Sequence, residues 1–108
     1  MLTRYARSNL HDAVLEWFKS HDLEVHATHY QFDHGFYAWR HHASKGALTL
    51  WVSELTAEDY EPSTIVAILK DFEPRALMAK FRHAHIHVAS NDSEFGAYAR
   101  DSFSPSAA

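Results

Sequence analysis

The sequence contains no cysteine, and its 108 residues include only three glycines and three prolines. Without cysteine the chain can form neither disulfides nor zinc sites with thiolate ligands, and it has no cysteine nucleophile. This lack fits a reducing compartment, so we expect a cytoplasmic protein. Three scattered glycines also exclude a glycine-rich phosphate-binding loop.

Long apolar runs are missing as well. No segment approaches the roughly 18 consecutive apolar residues of a membrane span, and the N-terminus MLTRYARSNLHDAV lacks the apolar centre of a secretory signal. The chain is long enough to bury one core without disulfides or a structural metal. We therefore expect a soluble protein that does not bind membranes, with a single domain over residues 1–101 and a frayed tail over residues 102–108.

Positive charge is scarce relative to negative charge. The chain has ten Lys and Arg residues and fourteen Asp and Glu residues, which gives a formal net charge of −4. This charge does not favour sequence-independent binding to the phosphates of nucleic acid. Histidine is abundant instead, with ten residues. Protonation of all ten would reverse the sign of the net charge, although a solvated surface that tolerates histidine explains the same count.

Periodicity predicts the order of the elements. The alternation of Leu48, Leu50 and Val52 with polar or aromatic neighbours predicts a strand, and the helical spacing of Ile65, Leu69 and Phe72 predicts a helix across one face of it. Similar patterns predict a first helix that is capped by Asn9 or starts earlier, at Thr3. They also predict strands over 23–31, 36–42 and 83–90, a helical turn capped by Thr56, a short helix after Pro74, and a last helical turn within 91–99.

This order predicts an α+β fold. It consists of an N-terminal helix, a three-stranded antiparallel meander, one or two helices, a fourth strand and a short C-terminal helix, with the helices packed on one face of the sheet.

The sheet face turned away from the helices is the first candidate for function. If Leu50 faces the helices, Trp51 faces away from them, and the second strand adds either the row with Trp39 and His41 or the row with Arg40 and His42. Aromatic residues are typical of protein interfaces. We therefore predict a non-catalytic protein-binding or regulatory module without a cofactor, which meets a partner protein or a second copy as a homodimer. The predicted contact residues are Tyr30, Trp39, Trp51, His26 and His41.

An alternative is that this face is ordinary core. In that case the last predicted helix or the tail, carrying Phe95, Tyr98 and Phe103, folds over it.

A second hypothesis for the function rests on the three histidines of the segment HAHIHVA. His83, His85 and His87 share one side of a predicted strand, and the pattern resembles the histidine-triad motif of nucleotide hydrolases and transferases. The resemblance implies that His85 attacks a phosphorus atom while His83 and His87 orient and protonate. The preceding stretch PRALMAKFR departs from that family, which has a glycine-rich lead-in. The same three histidines are candidate ligands for zinc or nickel, so a histidine-centred enzyme or metal-binding protein is the alternative function.

Overall fold

The computed structural model describes residues 4–31, 35–43, 46–90 and 95–100. The helices are α1 (Arg4–Ser20), α2 (Glu54–Asp59), α3 (Pro62–Ala67) and α4 (Pro74–Lys80), and a 3₁₀ turn (Ile68–Asp71) follows α3. The strands are β1 (Ala27–Gln31), β2 (Phe36–Ala43), β3 (Gly46–Ser53), β4 (His83–Ser90) and β5 (Phe95–Arg100). The α+β class is confirmed. Across the described ranges, every helix is too short or too polar to cross a membrane.

The five strands form one mixed sheet in the order β1-β2-β3-β4-β5. The predicted antiparallel meander of β1, β2 and β3 is present, β4 runs parallel to β3, and β5 runs antiparallel to β4. Parallel neighbours require a crossover connection. The helices between β3 and β4 supply it, and they pack on the same sheet face as α1.

The core lies between that face and the helices. Leu48, Leu50 and Val52 are fully buried, as predicted, and they lie beside Ile86 and Val88 of the parallel strand. The helices contribute Leu10, Val14, Trp17, Phe18, Ile65 and Leu69 to the same cluster. The apolar stripes of the sequence therefore meet in a single layer between sheet and helices.

The first strand starts four residues later than predicted, at Ala27 rather than Leu23. Leu23 instead closes α1, because its backbone N–H donates to the Phe18 carbonyl while the Asp22 N–H donates to the Lys19 carbonyl. Asp22 has a φ of 57°, the left-handed conformation of this helix-ending motif. Of the two predicted starts of α1, the structure has the earlier one, since the helix begins at Arg4 and contains Asn9.

The cap of α2 is Ser53 rather than Thr56. The Ser53 hydroxyl accepts the Thr56 backbone N–H at 3.2 Å and bonds the Thr56 hydroxyl at 2.6 Å, so Thr56 lies buried inside the helix. The turn before β2 has the positive φ expected at Gly35, 68°, and the Gly35 carbonyl accepts the N–H of Glu54.

The prediction of a short C-terminal helix is wrong, because residues 95–100 form β5. Antiparallel pairing with β4 satisfies the backbone of this segment, with Tyr98 in register with His87. β5 therefore extends the sheet edge instead of folding over a face. Phe103 and the predicted frayed tail, 102–108, lie outside the described residues.

Two leucines test this core. Leu50 is fully buried in the central strand, whereas Leu55 on α2 is 64% exposed. We expect Leu50→Ala to lower the free energy of unfolding by about 2–5 kcal/mol, because the substitution leaves a cavity. Leu55→Ala should change it by less than about 0.5 kcal/mol. Urea unfolding followed by circular dichroism measures both, and equal effects would contradict the assignment of the core face.

Candidate functional site on the outer sheet face

The outer face is the side of the sheet opposite to the helices. Residues paired across neighbouring strands share a face, so the register identifies its members. On the three central strands they are Phe36, Ala38, Arg40 and His42 of β2, Ala47, Thr49, Trp51 and Ser53 of β3, and His83, His85 and His87 of β4. Of the two rows left open for β2, the row with Arg40 and His42 is therefore the one beside Trp51.

The predicted contact residues Trp39 and Trp51 lie on opposite faces, which corrects the expectation that they share a surface. Trp39 pairs with Leu50 and belongs to the core, where its indole Nε1–H donates to His11 Nδ1 of α1 at 3.0 Å. Trp51 is on the outer face but only 4% exposed. Neither indole is open to a partner in this conformation.

Tyr30, His26 and His41 belong to the edge of the sheet. Tyr30 is in register with Tyr37, in the row opposite to that of Trp51. His26 precedes β1, and its ring centroid is 5.1 Å from that of His41. His41 Nδ1 donates to the Glu24 carbonyl at 2.7 Å. His26 and His41 therefore form a small histidine cluster at the edge, away from Trp51.

The middle of the outer face is aromatic and closed. The Phe36 ring lies 4.8 Å from the His87 ring and 6.2 Å from Trp51, and His87 is only 8% exposed. This part of the outer face is closer to a second core than to a recognition surface. The accessible part lies at the other end of the same strands.

Trp51 fixes the tautomer of His85. The indole Nε1–H of Trp51 donates to His85 Nδ1 at 3.0 Å, and the planes of the two rings are inclined by 21°. An indole N–H can only donate, so His85 Nδ1 must carry its lone pair in this bond. In neutral His85 the proton is therefore on Nε2, which makes that nitrogen a donor.

This tautomer bears directly on the histidine-triad resemblance. A nucleophilic imidazole needs a nitrogen lone pair aimed at the phosphorus atom, but Nδ1 of His85 is engaged by Trp51 and Nε2 carries the proton. The arrangement of His85 suits a hydrogen-bond donor in a binding site rather than an attacking group.

The row of His83, His85 and His87 does not converge on a point. Alternate residues of a strand lie roughly 6.6 Å apart, whereas imidazole ligands must each approach zinc to about 2.0–2.1 Å. Within the described ranges, no group of three or more His, Cys, Asp or Glu side chains is placed to hold a metal ion.

A basin of about 290 Å³ opens at the accessible end of the outer face. Its lining residues are Arg40, His42, Ala47, Thr49, His83, Ala84 and His85. Arg40 is half-buried, and its Nε–H donates to the Thr49 hydroxyl at 3.2 Å. This bond fixes the guanidinium group over β3, while the exposed His42 and His83 form the rim. We call this feature the Arg40 basin.

The electrostatics of the basin follow from the composition of the sheet. The five described strands contain no Asp or Glu, although the whole chain has fourteen, and they hold six of the ten histidines. Among the described residues, no carboxylate forms an ion pair with Arg40. The Arg40 basin is therefore a local concentration of donors in a molecule of net negative charge.

The sequence places Thr49 on the outer face and offers Arg40 with His42 as one of two rows for β2, but it does not join them to the histidines of β4 in one site. The structure brings Arg40, His42, Thr49, His83 and His85 into the lining of a single basin. The signal that could have identified the basin is the complete absence of acidic residues from the strands.

The Trp51–His85 bond is open to a direct test. We expect two-bond proton–nitrogen NMR spectra near neutral pH to show His85 as the Nε2–H tautomer. Trp51→Phe removes the donor, so the fixed tautomer preference should be lost, with a cost of about 0.5–1.5 kcal/mol in the free energy of unfolding. Trp39→Phe is the matched control, which should affect His11 and leave His85 unchanged. A protonated Nδ1 on His85 in the native protein would contradict this geometry.

Comparison of the chain with known protein families, with curated proteins and with solved structures finds no match.

Proposed function

We propose that this chain is a non-catalytic binding module that takes an acidic group of a protein partner into the Arg40 basin. The observation that carries the proposal is a half-buried arginine, held by Thr49 on a sheet without acidic residues. An arginine desolvated in this way gains most from a carboxylate or a phosphate, since hydrogen bonds between charged groups are the strongest.

Preorganisation supports recognition by Arg40. The bond from Nε to Thr49 fixes the plane of the guanidinium group. Among the residues that the structure describes, its two terminal NH₂ groups remain for a ligand. A fork held in place loses less side-chain entropy when it binds than a free surface arginine does. Arg40 is therefore better suited to binding a specific ligand than to the general role of a surface charge that keeps a protein in solution.

Size supports a protein side chain as the occupant. A volume of about 290 Å³ is at the lower limit of the roughly 300–1,000 Å³ that enclose small-molecule ligands. The basin accommodates one acidic side chain, while the rest of the partner contacts the exposed rim at His42 and His83.

The chemistry of the basin supports binding rather than catalysis. Arg40 supplies donors only, and Trp51 holds neutral His85 with its proton on Nε2, so these groups stabilise negative charge without providing a nucleophile. The absence of cysteine supports a reducing cytoplasm as the site of action.

Self-association is the version of this proposal in which the partner is a second copy. Glu58, Asp59 and Glu61 are exposed near the α2–α3 junction, so one molecule can offer an acidic segment to the basin of another. Such a contact joins two different surfaces, and it predicts a concentration-dependent mass that falls as salt is added.

The first test uses a short glutamate-rich peptide as the probe. We expect NMR shift changes at Arg40, Thr49 and His83, with affinity reduced at least about tenfold in Arg40→Gln because a charge-assisted hydrogen bond is lost. Lys70→Gln is the matched control, since it removes the same charge from an exposed position on the helical side.

Sedimentation over a range of protein and salt concentrations separates a foreign partner from a second copy. Shift changes spread over the helices, or equal losses in the two variants, would mean that the basin is not the binding site.

A further inference from the structure

We infer that the group recognised in the Arg40 basin is a phosphate monoester. This inference rests on the proposed function, because it specifies the chemistry of the acidic group that the basin takes. It predicts a preference for a tetrahedral oxyanion over a carboxylate.

The directions of the donors favour a phosphate. Arg40 comes from β2, Thr49 from β3, and His83 with His85 from β4, so hydrogen-bonding groups surround the basin on three adjacent strands. One arginine fork can satisfy both oxygens of a planar carboxylate without help. A phosphate monoester has three terminal oxygens, which can use donors from several directions.

Charge also favours a phosphate. A phosphate monoester carries about −1.5 to −2 charges near neutral pH, against a single charge on a carboxylate. Arg40 supplies one permanent positive charge, and His42 and His83 at the rim add hydrogen-bonding nitrogens. Because the described strands contain no carboxylates, the charge of Arg40 is not neutralised within the sheet.

The rest of the molecule restricts the ligand to one localised phosphate. The chain has a net charge of −4, and the exposed acidic residues described outside the strands include Asp12, Glu16, Glu58 and Glu73. A polyanion that extended beyond the basin would meet this negative potential. A single phosphate group avoids it, as on a phosphorylated side chain or a small metabolite.

The volume of the basin limits how much of the ligand it can enclose. About 290 Å³ accommodates the phosphate and the first atoms attached to it. The remainder of the ligand lies outside, across the exposed residues His42 and Ala43 at the end of β2. A phosphorylated segment of a protein fits this arrangement, and it agrees with the proposed protein partner.

The experiment compares four probes by NMR titration: inorganic phosphate, a phosphoserine pentapeptide, its glutamate analogue and a short single-stranded oligonucleotide. We expect the phosphoserine peptide to bind at least about tenfold more tightly than the glutamate peptide, because more charge-assisted hydrogen bonds form. Shift changes should centre on Arg40, Thr49 and His83.

The variants separate geometry from charge. Arg40→Lys keeps the charge but loses the fork, so it should reduce the preference for phosphoserine over glutamate, and Arg40→Gln should abolish binding. Lys70→Gln should leave all affinities unchanged. Circular dichroism and unfolding midpoints confirm that each variant is folded, and His83→Gln provides a second variant on another strand, with an expected loss of about threefold to tenfold.

The outcomes distinguish the two proposals. Equal affinity for the phosphoserine and glutamate peptides at the basin overturns the phosphate inference and leaves the proposed function standing. Absence of binding by all four probes overturns both. Tighter binding of inorganic phosphate than of the peptide supports the phosphate site and assigns a small molecule as its source. Tightest binding of the oligonucleotide contradicts a site restricted to one phosphate.

Discussion

The parallel pairing of β3 with β4 is the constraint on which both faces of this molecule depend. It places Ile86 beside Leu50 in the core, and on the outer face it places His85 beside Thr49 and His87 beside Trp51. A slip of one residue would turn the histidines into the core and the aliphatic residues outwards. Because the helices can cover only one face while they connect these strands, the register that completes the core also assembles the Arg40 basin.

On each face of the sheet a tryptophan donates a hydrogen bond to a histidine. Trp39 donates to His11 on the helix side, and Trp51 donates to His85 on the outer side. In each pair the buried indole N–H donates to a histidine nitrogen, which avoids the free-energy cost of burying an unsatisfied donor. The outer pair has a further consequence, because it fixes a donor tautomer next to Arg40. The hydrogen bond that satisfies the buried N–H of Trp51 therefore also sets the tautomer of His85 in the Arg40 basin.

The sequence was sufficient to predict the class, the meander and the core face, because Leu48, Leu50 and Val52 alternate and the helices between β3 and β4 are amphipathic. It was insufficient to predict β5, since Phe95 and Tyr98 have a helix-like spacing and this segment becomes a strand only by pairing with β4.

The prediction of the site residues was incomplete for a related reason. The choice between the Trp39 row and the Arg40 row depends on the register of β2 with β3, which residue patterns alone left open.

A positive basin on a molecule of net negative charge can be measured directly. Paramagnetic relaxation by an anionic and by a neutral gadolinium chelate, measured at every backbone amide, detects such a basin without any assumption about the ligand. We expect the anionic chelate to relax the amides around Arg40, His42 and His83 more than the neutral chelate does, and the amides of the exposed helices to show the reverse. A uniform ratio across the protein, or depletion of the anionic chelate at Arg40, would contradict a positive basin.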